Sequence, residues 1–209
     1  TPDSCRWPQF SLSNGSSVSF VNADEQLLDA FCTSVQSAFP EDRLVRDQRR
    51  NGAQRVRVVA GRGRKTSATL GWLREIGLKE PASCARGGPT SWEKSVPAFV
   101  FEHDDEAIAA FVAALWDCDG HIGKNLAVYT TVSPALAECL RLLLMRLGFV
   151  PSTYTRAYVR PRDGRQMQAH QVAVFDGPRF TSVIAPHLQN GSKQSVEFVG
   201  EASSTTLDR

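Results

Sequence analysis

Strand, helix, hairpin and helix follow one another twice in this chain, and that duplication constrains the fold more than any single motif. In the first copy, residues 17–22 (SVSFVN) alternate as a strand does, Asp24 suits an N-cap, and Leu27, Leu28, Phe31, Val35 and Phe39 recur at helical spacing. Strands are predicted over 44–46 and 54–59, joined by the turn pair Asn51-Gly52, and a helix over 68–78 closes at Gly77. The second copy repeats the order. A strand over 126–132 leads through Ser133-Pro134 into a helix over 135–147, then come strands over 152–159 and 167–175 around Asp163-Gly164, and a helix over 179–188. The reading is an α+β protein of two similar halves, residues 1–90 and 91–200, followed by a polar tail over 201–209.

The element that opens the second half carries the chemistry. Residues 106–119 (EAIAAFVAALWDCD) read as a helix with Ile108, Phe111, Val112, Leu115 and Trp116 on one stripe. Ala109, Ala110, Ala113 and Ala114 are small enough for a second helix backbone to approach closely. Asp119 lies on the last turn. A carboxylate at the negative end of a helix dipole is unfavourable unless a cation compensates it, so a functional role outweighs a plain turn acid.

Of the 209 residues, 42% are hydrophobic, enough for a real core and no case for disorder. No apolar run approaches the roughly 18 residues of a membrane span, so no membrane partner is expected. Cys5, Cys32, Cys84, Cys118 and Cys139 are odd in number and contain no Cys-x-x-Cys pair, which argues for reduced thiols and a cytoplasmic setting. Net charge is only +2, but its distribution is uneven. Between Arg43 and Lys65 nine basic residues face one acid, Asp47, and between Arg156 and Arg165 four arginines face Asp163. Such segments form either a positive, nucleic-acid-facing surface or solvated loops.

The stretch Val112-Ala-Ala-Leu-Trp-Asp-Cys-Asp-Gly120 resembles the LAGLIDADG motif of homing endonucleases, in particular the DOD type embedded in inteins. Upstream, Ser91-Trp92-Glu93-Lys94-Ser95-Val96-Pro97 is similar to the lysine-and-proline block that precedes the second motif in those enzymes, and residues 133–149 are similar to the helix that follows it. The resemblance implies two pseudo-symmetric αββαββα halves whose strands form a saddle over the major groove of double-stranded DNA, on a monomer with internal pseudo-two-fold symmetry. It implies Mg²⁺-dependent phosphodiester hydrolysis, with Asp119 and the Gly120 backbone at the metal and Lys94 assisting catalysis. It also implies that the chain belongs to a larger intein-containing polypeptide that undergoes protein splicing, although no Cys or Ser opens the sequence and no His-Asn closes it.

Under that resemblance the DNA-facing residues are Arg46, Arg49, Arg55, Arg57, Arg62, Arg64 and Lys65 in the first half. In the second they are Lys124, Tyr154, Arg156, Tyr158, Arg160 and Arg165. A two-stranded ribbon fits the major groove, where arginine reads guanine bidentately, and the interleaved Gln48 and Gln54 suit base edges.

The first motif departs from the pattern. Gly15 stands 105 positions before Gly120, and reading back from it puts Asn14 where the metal-binding acid belongs and Pro8 inside the helix. Either Asn14 is a degenerate metal position, or the true first helix lies on sequence upstream of Thr1; with Asn14 in place the activity is either impaired or replaced by binding alone, as in a remnant or splicing cofactor that holds DNA or RNA. A plain interaction domain with solvated arginines is the blander alternative. Other patterns fail. Residues 61–67 lack phosphate-loop spacing, and a calcium loop starting at Asp117 would need a glutamate where Val128 stands.

Overall fold

The computed structural model describes residues 18–49, 52–79, 91–160 and 163–198. Two compact units divide the chain, Thr1–Thr90 and Ser91–Arg209. The first contains β1 (Val18–Asn22), α1 (Glu25–Ala38), β2 (Arg43–Gln48), β3 (Gln54–Val59) and α2 (Ala68–Glu75). The second contains α3 (Asp105–Asp119), β4 (Gly120–Ile122), β5 (Ala127–Thr131), α4 (Pro134–Arg146), β6 (Ser152–Val159), β7 (Gln166–Val174), α5 (Gly177–Val183) and α6 (Gly191–Gln194). Through α5 the second unit runs αββαββα. All strand pairs are antiparallel, in the orders β1-β3-β2 and β4-β5-β7-β6. In each half the strand before the long helix pairs with the far strand of the hairpin, so the duplication read from hydrophobic pattern is a duplication of sheet topology as well.

Capping chemistry fixes where these helices begin. Asp24 accepts from the N–H groups of Gln26 and Leu27, Asp104 from Ala107, and Ser133 from Leu136, each satisfying a donor the helix leaves orphaned. The α2 start is held across the sequence. Buried Asp42 accepts from Ala68 N, Thr69 N and Thr69 Oγ1, each at 2.8 Å. Gly52 and Gly164 take φ of +82° and +68° at the two hairpin turns, where a side chain would be strained.

Both cores form on one face of their sheet. In the first unit Val18, Val35, Val58 and Leu70 cluster with Phe31, Leu44 and Leu73, and Phe20 stacks on Phe31 at 5.0 Å. In the second, Ile108, Val112 and Trp116 of α3 pack with Leu140, Leu143 and Leu144 of α4 and with Val172, Phe180, Ile184 and Leu188. Each such fully buried side chain contributes on the order of 1.5–3 kcal/mol by leaving water. No helix among the described residues is long and apolar enough to cross a membrane.

Four elements differ from expectation. The helix predicted over 68–78 stops at Glu75, because Gly77 turns left-handed at φ +75° and Leu78 and Lys79 both donate back to Leu73 O. The helix predicted over 179–188 divides into α5 and a 3-10 turn, Ala185–His187, since Pro186 has no N–H to donate. The short β4 and α6 carry too few residues for a hydrophobic period to register.

Candidate metal centre and nucleic-acid interface

Asp119 is the last residue of α3, and the chain turns at once into β4. Gly120 makes that turn possible: its N–H bonds to Trp116 O, and a Cβ there would lie 2.6 Å from Trp116 Cα. Asp119 is half-buried. Burial pushes its carboxyl above the ordinary range, while Lys94 and Lys193 pull it back down. The acid at the end of α3 therefore has two cations beside it.

Each lysine is placed by a separate device. Ser133 caps α4 and donates its hydroxyl to Lys94 O at 2.5 Å, pinning the segment that carries Lys94 to the start of that helix. Lys193 is held by the far end of the unit. Buried Asp117 accepts from Gln189 N at 2.8 Å and Asn190 N at 3.1 Å, and Asn190 then caps α6 by accepting from Ser192 N and Lys193 N. From there Lys193 Nζ donates to Trp116 O and, at 2.8 Å, to Asp117 O, two carbonyls of the last turn of α3. It is the cation that the helix dipole requires at this end. Sequence reasoning missed it, although acids on the last turn with no base beside them were the signal that a cation had to exist.

Burial, then Asp119 and Asp117, push the thiol of Cys118 up to about 12, which keeps it protonated at neutral pH. Tyr129, opposite Gly120 across β4 and β5, is held neutral by the same burial and the same Asp119 charge. Of the residues singled out from sequence, Asp119, Gly120 and Lys94 come together in the second unit. Asn14 and Pro8 lie outside the described residues.

The basic residues separate by face. In the second unit Tyr154, Arg156 and Tyr158 alternate with the residues that follow the core side of β6, and they sit in register opposite Gln171, Ala169 and Met167. All three are exposed on the face turned away from the helices, beside Thr130 and Gln171. Lys124 is exposed at the β4–β5 turn, and Arg160 and Arg165 meet at the hairpin tip. In the first unit Val56 and Val58 point to the core, so Arg55 and Arg57 point to the opposite face, where both remain part-exposed beside buried Ser19 and Val21. Arg49 lies at the hairpin turn, while Arg62, Arg64 and Lys65 are exposed in the β3–α2 loop, where Arg64 pairs with Glu41 at 3.1 Å.

Arg46 is a correction. It pairs in register with Val56, on the helix-covered face, and its guanidinium bonds Asp29 and reaches Glu25 of α1 at 3.6 Å. Gln48 and Gln54 share that register. A helix lying over this face takes Arg46 away from any ligand on the other.

A family model for the LAGLIDADG-like domain matches residues 106–185, which run from the first turn of α3 past α5. This stretch is thus similar to LAGLIDADG-like domains. It opens with α3, which ends at Asp119 and Gly120. Over about 80% of its length the chain shares the fold of the homing endonuclease I-DmoI. It superposes on mesophilic variants of I-DmoI with a TM-score of 0.53 at 13% identity, covering 81% of this chain and 74% of that one. On I-DmoI bound to DNA and Mn the TM-score is 0.52 at 13% identity, covering 80% of each. Among curated proteins, the replicative DNA helicase DnaB of Rhodothermus marinus is 40% identical over 84 residues, 37% of this chain and 8% of the helicase. The replication factor C small subunit of Methanocaldococcus jannaschii is 24% identical over 133 residues, 64% of this chain and 6% of that protein. The chain thus spans under a tenth of these relatives' length.

Proposed function

We propose that this chain is an intein-type homing endonuclease domain that binds duplex DNA site-specifically and hydrolyses its phosphodiester backbone with Mg²⁺. The observation that carries the reading is Asp119, on the last turn of the LAGLIDADG helix and flanked by Lys94 and Lys193. DNA binding is supported by the two open sheet faces, with Arg55 and Arg57 on one and Tyr154, Arg156 and Tyr158 on the other. Each sheet offers a two-stranded hairpin of the kind that fits a major groove, and a single chain supplies both. Recurrence of the domain as a small segment of two different replication proteins fits an inserted element within a larger polypeptide. The free thiols Cys32, Cys118 and Cys139 suit a cytoplasmic setting.

The donor set fits a hard, well-hydrated cation. Asp119 offers one carboxylate and Gly120 one carbonyl, and no group of three or more His, Cys, Asp or Glu that could hold a metal occurs among the described residues. Magnesium keeps several waters and takes few protein ligands beside phosphate oxygens, which suits so sparse a site. When bound, the metal activates water and neutralises charge on the phosphate. Asp119 would hold it through its carboxylate and Gly120 through its backbone carbonyl, and the Lys94 ammonium would offset charge on the phosphate. Lys193 holds the helix end in place. Asn14 favours a second outcome, in which the first half contributes no carboxylate and the protein nicks one strand or only binds.

Binding is tested by titrating a random-sequence duplex at several salt concentrations. Affinity falls steeply as salt rises, since each neutralised phosphate releases close to one counterion. Replacing Arg55 and Arg57 together by alanine lowers affinity by about 10-fold or more, whereas Arg46→Ala stays within about two-fold of wild type. Equal losses from both variants would contradict the assignment of faces.

A further inference from the structure

Each basic hairpin contains a single acid, and in each the acid lies between two arginines. On the open face of the first sheet Asp47 stands directly opposite Arg55 and diagonal to Arg57. Its Oδ1 accepts from Arg55 Nε at 2.8 Å, and its Oδ2 accepts from Arg55 Nη2 at 2.9 Å and from Arg57 Nε at 3.0 Å. At the tip of the second hairpin Asp163 accepts two bonds from Arg160, one of them from Nε at 2.8 Å, and lies 3.7 Å from Arg165 Nε. The two aspartates are the only acids in the two basic segments.

We propose that Asp47 and Asp163 determine the selectivity of the DNA-facing hairpins, Asp47 orienting Arg55 and Arg57 and Asp163 orienting Arg160 toward base edges, while both suppress attraction to arbitrary phosphates. The inference rests on the DNA-binding reading above. Two physical effects support it. Asp47 engages Arg57 only through Nε, so the fork of the two terminal nitrogens, which matches O6 and N7 of guanine, is aimed by the carboxylate and not consumed by it. The same carboxylate cancels one positive charge on the surface and repels any phosphate that approaches without a matching base. Sequence-independent attraction falls, while readout of a matching site, where arginine meets a base edge, is kept. Both acids stay ionised at neutral pH. Arg55 and then Arg57 hold Asp47 below the usual carboxylate range, and Arg160 does the same for Asp163.

The alternative is that these are ordinary surface ion pairs, which contribute little to anything. The full-length chain, D47N and D163N are each titrated with a random-sequence duplex and used to select binders from a randomised duplex pool. The proposal expects D47N to bind the random duplex about 3- to 10-fold more tightly, with a salt dependence steeper by roughly one counterion. It expects the selected sequences to lose information at the base pairs under β3. D163N, altered at an exposed turn and safe for folding, does the same under the second hairpin. Wild-type selectivity retained in both variants, with unchanged random-duplex affinity, overturns the proposal and leaves DNA binding standing. A wild-type chain that binds no duplex overturns the DNA-binding reading itself, and this inference with it.

Discussion

Asp119→Asn abolishes strand breakage, by about a thousand-fold or more, while duplex affinity stays within about two-fold of wild type. The substitution keeps the size and hydrogen-bonding shape of the side chain. It removes the one carboxylate that the last turn of α3 presents to a cation. Because Lys94 and Lys193 act electrostatically on half-buried Asp119, losing its charge also leaves the site more positive toward an incoming cation. Affinity for a metal should therefore fall further than the loss of a single ligand implies. Lys94→Met should slow cleavage less, by about 10- to 100-fold, since Lys94 acts on developing charge and not as a ligand. Single-turnover rates for the three proteins on one duplex site check the ranking, and a D119N protein that still cleaves would move the reacting centre elsewhere.

The second large effect falls on stability. Asp117→Ala should destabilise the protein by about 3 kcal/mol and lower its melting temperature by roughly 6–12 °C. The buried carboxylate accepts the backbone N–H groups of Gln189 and Asn190, and alanine leaves both donors unmatched in a place water reaches poorly. Those bonds set the path by which Lys193 reaches the carbonyls of Trp116 and Asp117, so a cleavage defect should accompany the loss. Asp117→Asn keeps one acceptor oxygen and should recover about half of the stability. Thermal melts of the two variants distinguish this latch from a simple surface acid, for which neither would shift the midpoint by more than a degree or two.

Much of this architecture was legible in the sequence, for identifiable reasons. The long helices α1, α3 and α4 each present an apolar stripe of several turns and a capping residue at the start, so period and punctuation agree. The hairpins announced themselves by Gly52 and Gly164, which supply the left-handed turn residue. Asp119 and Lys94 were found by resemblance to a motif. Physical reasoning independently marked Asp119, as an acid at the wrong end of a dipole.

Long-range pairings were less visible. Lys193 reaches α3 only because Asp117 captures a loop more than seventy residues away, and nothing in the local pattern around Asn190 reports that closure. Arg46 was misassigned because three strand residues, 44–46, were too few to fix the register. With β2 extending over Arg43–Gln48 and paired to β3, the alternation turns Arg46 toward α1. The pairing of Asp47 with two arginines was hidden for a related reason: a charge count records the acid but not which face it shares.

We propose that Asp119 organises metal-dependent phosphodiester hydrolysis, with Asn14 standing where the resemblance places the second acid. The most direct test is a supercoiled plasmid carrying a site recovered by selection, incubated with the wild-type chain in Mg²⁺, with a chelator, and with D119N. The account predicts nicked circles forming far faster than linear product in Mg²⁺, and intact plasmid in the other two reactions. A plasmid left intact by the wild-type chain in Mg²⁺, or breakage that persists with chelator or with D119N, would contradict it.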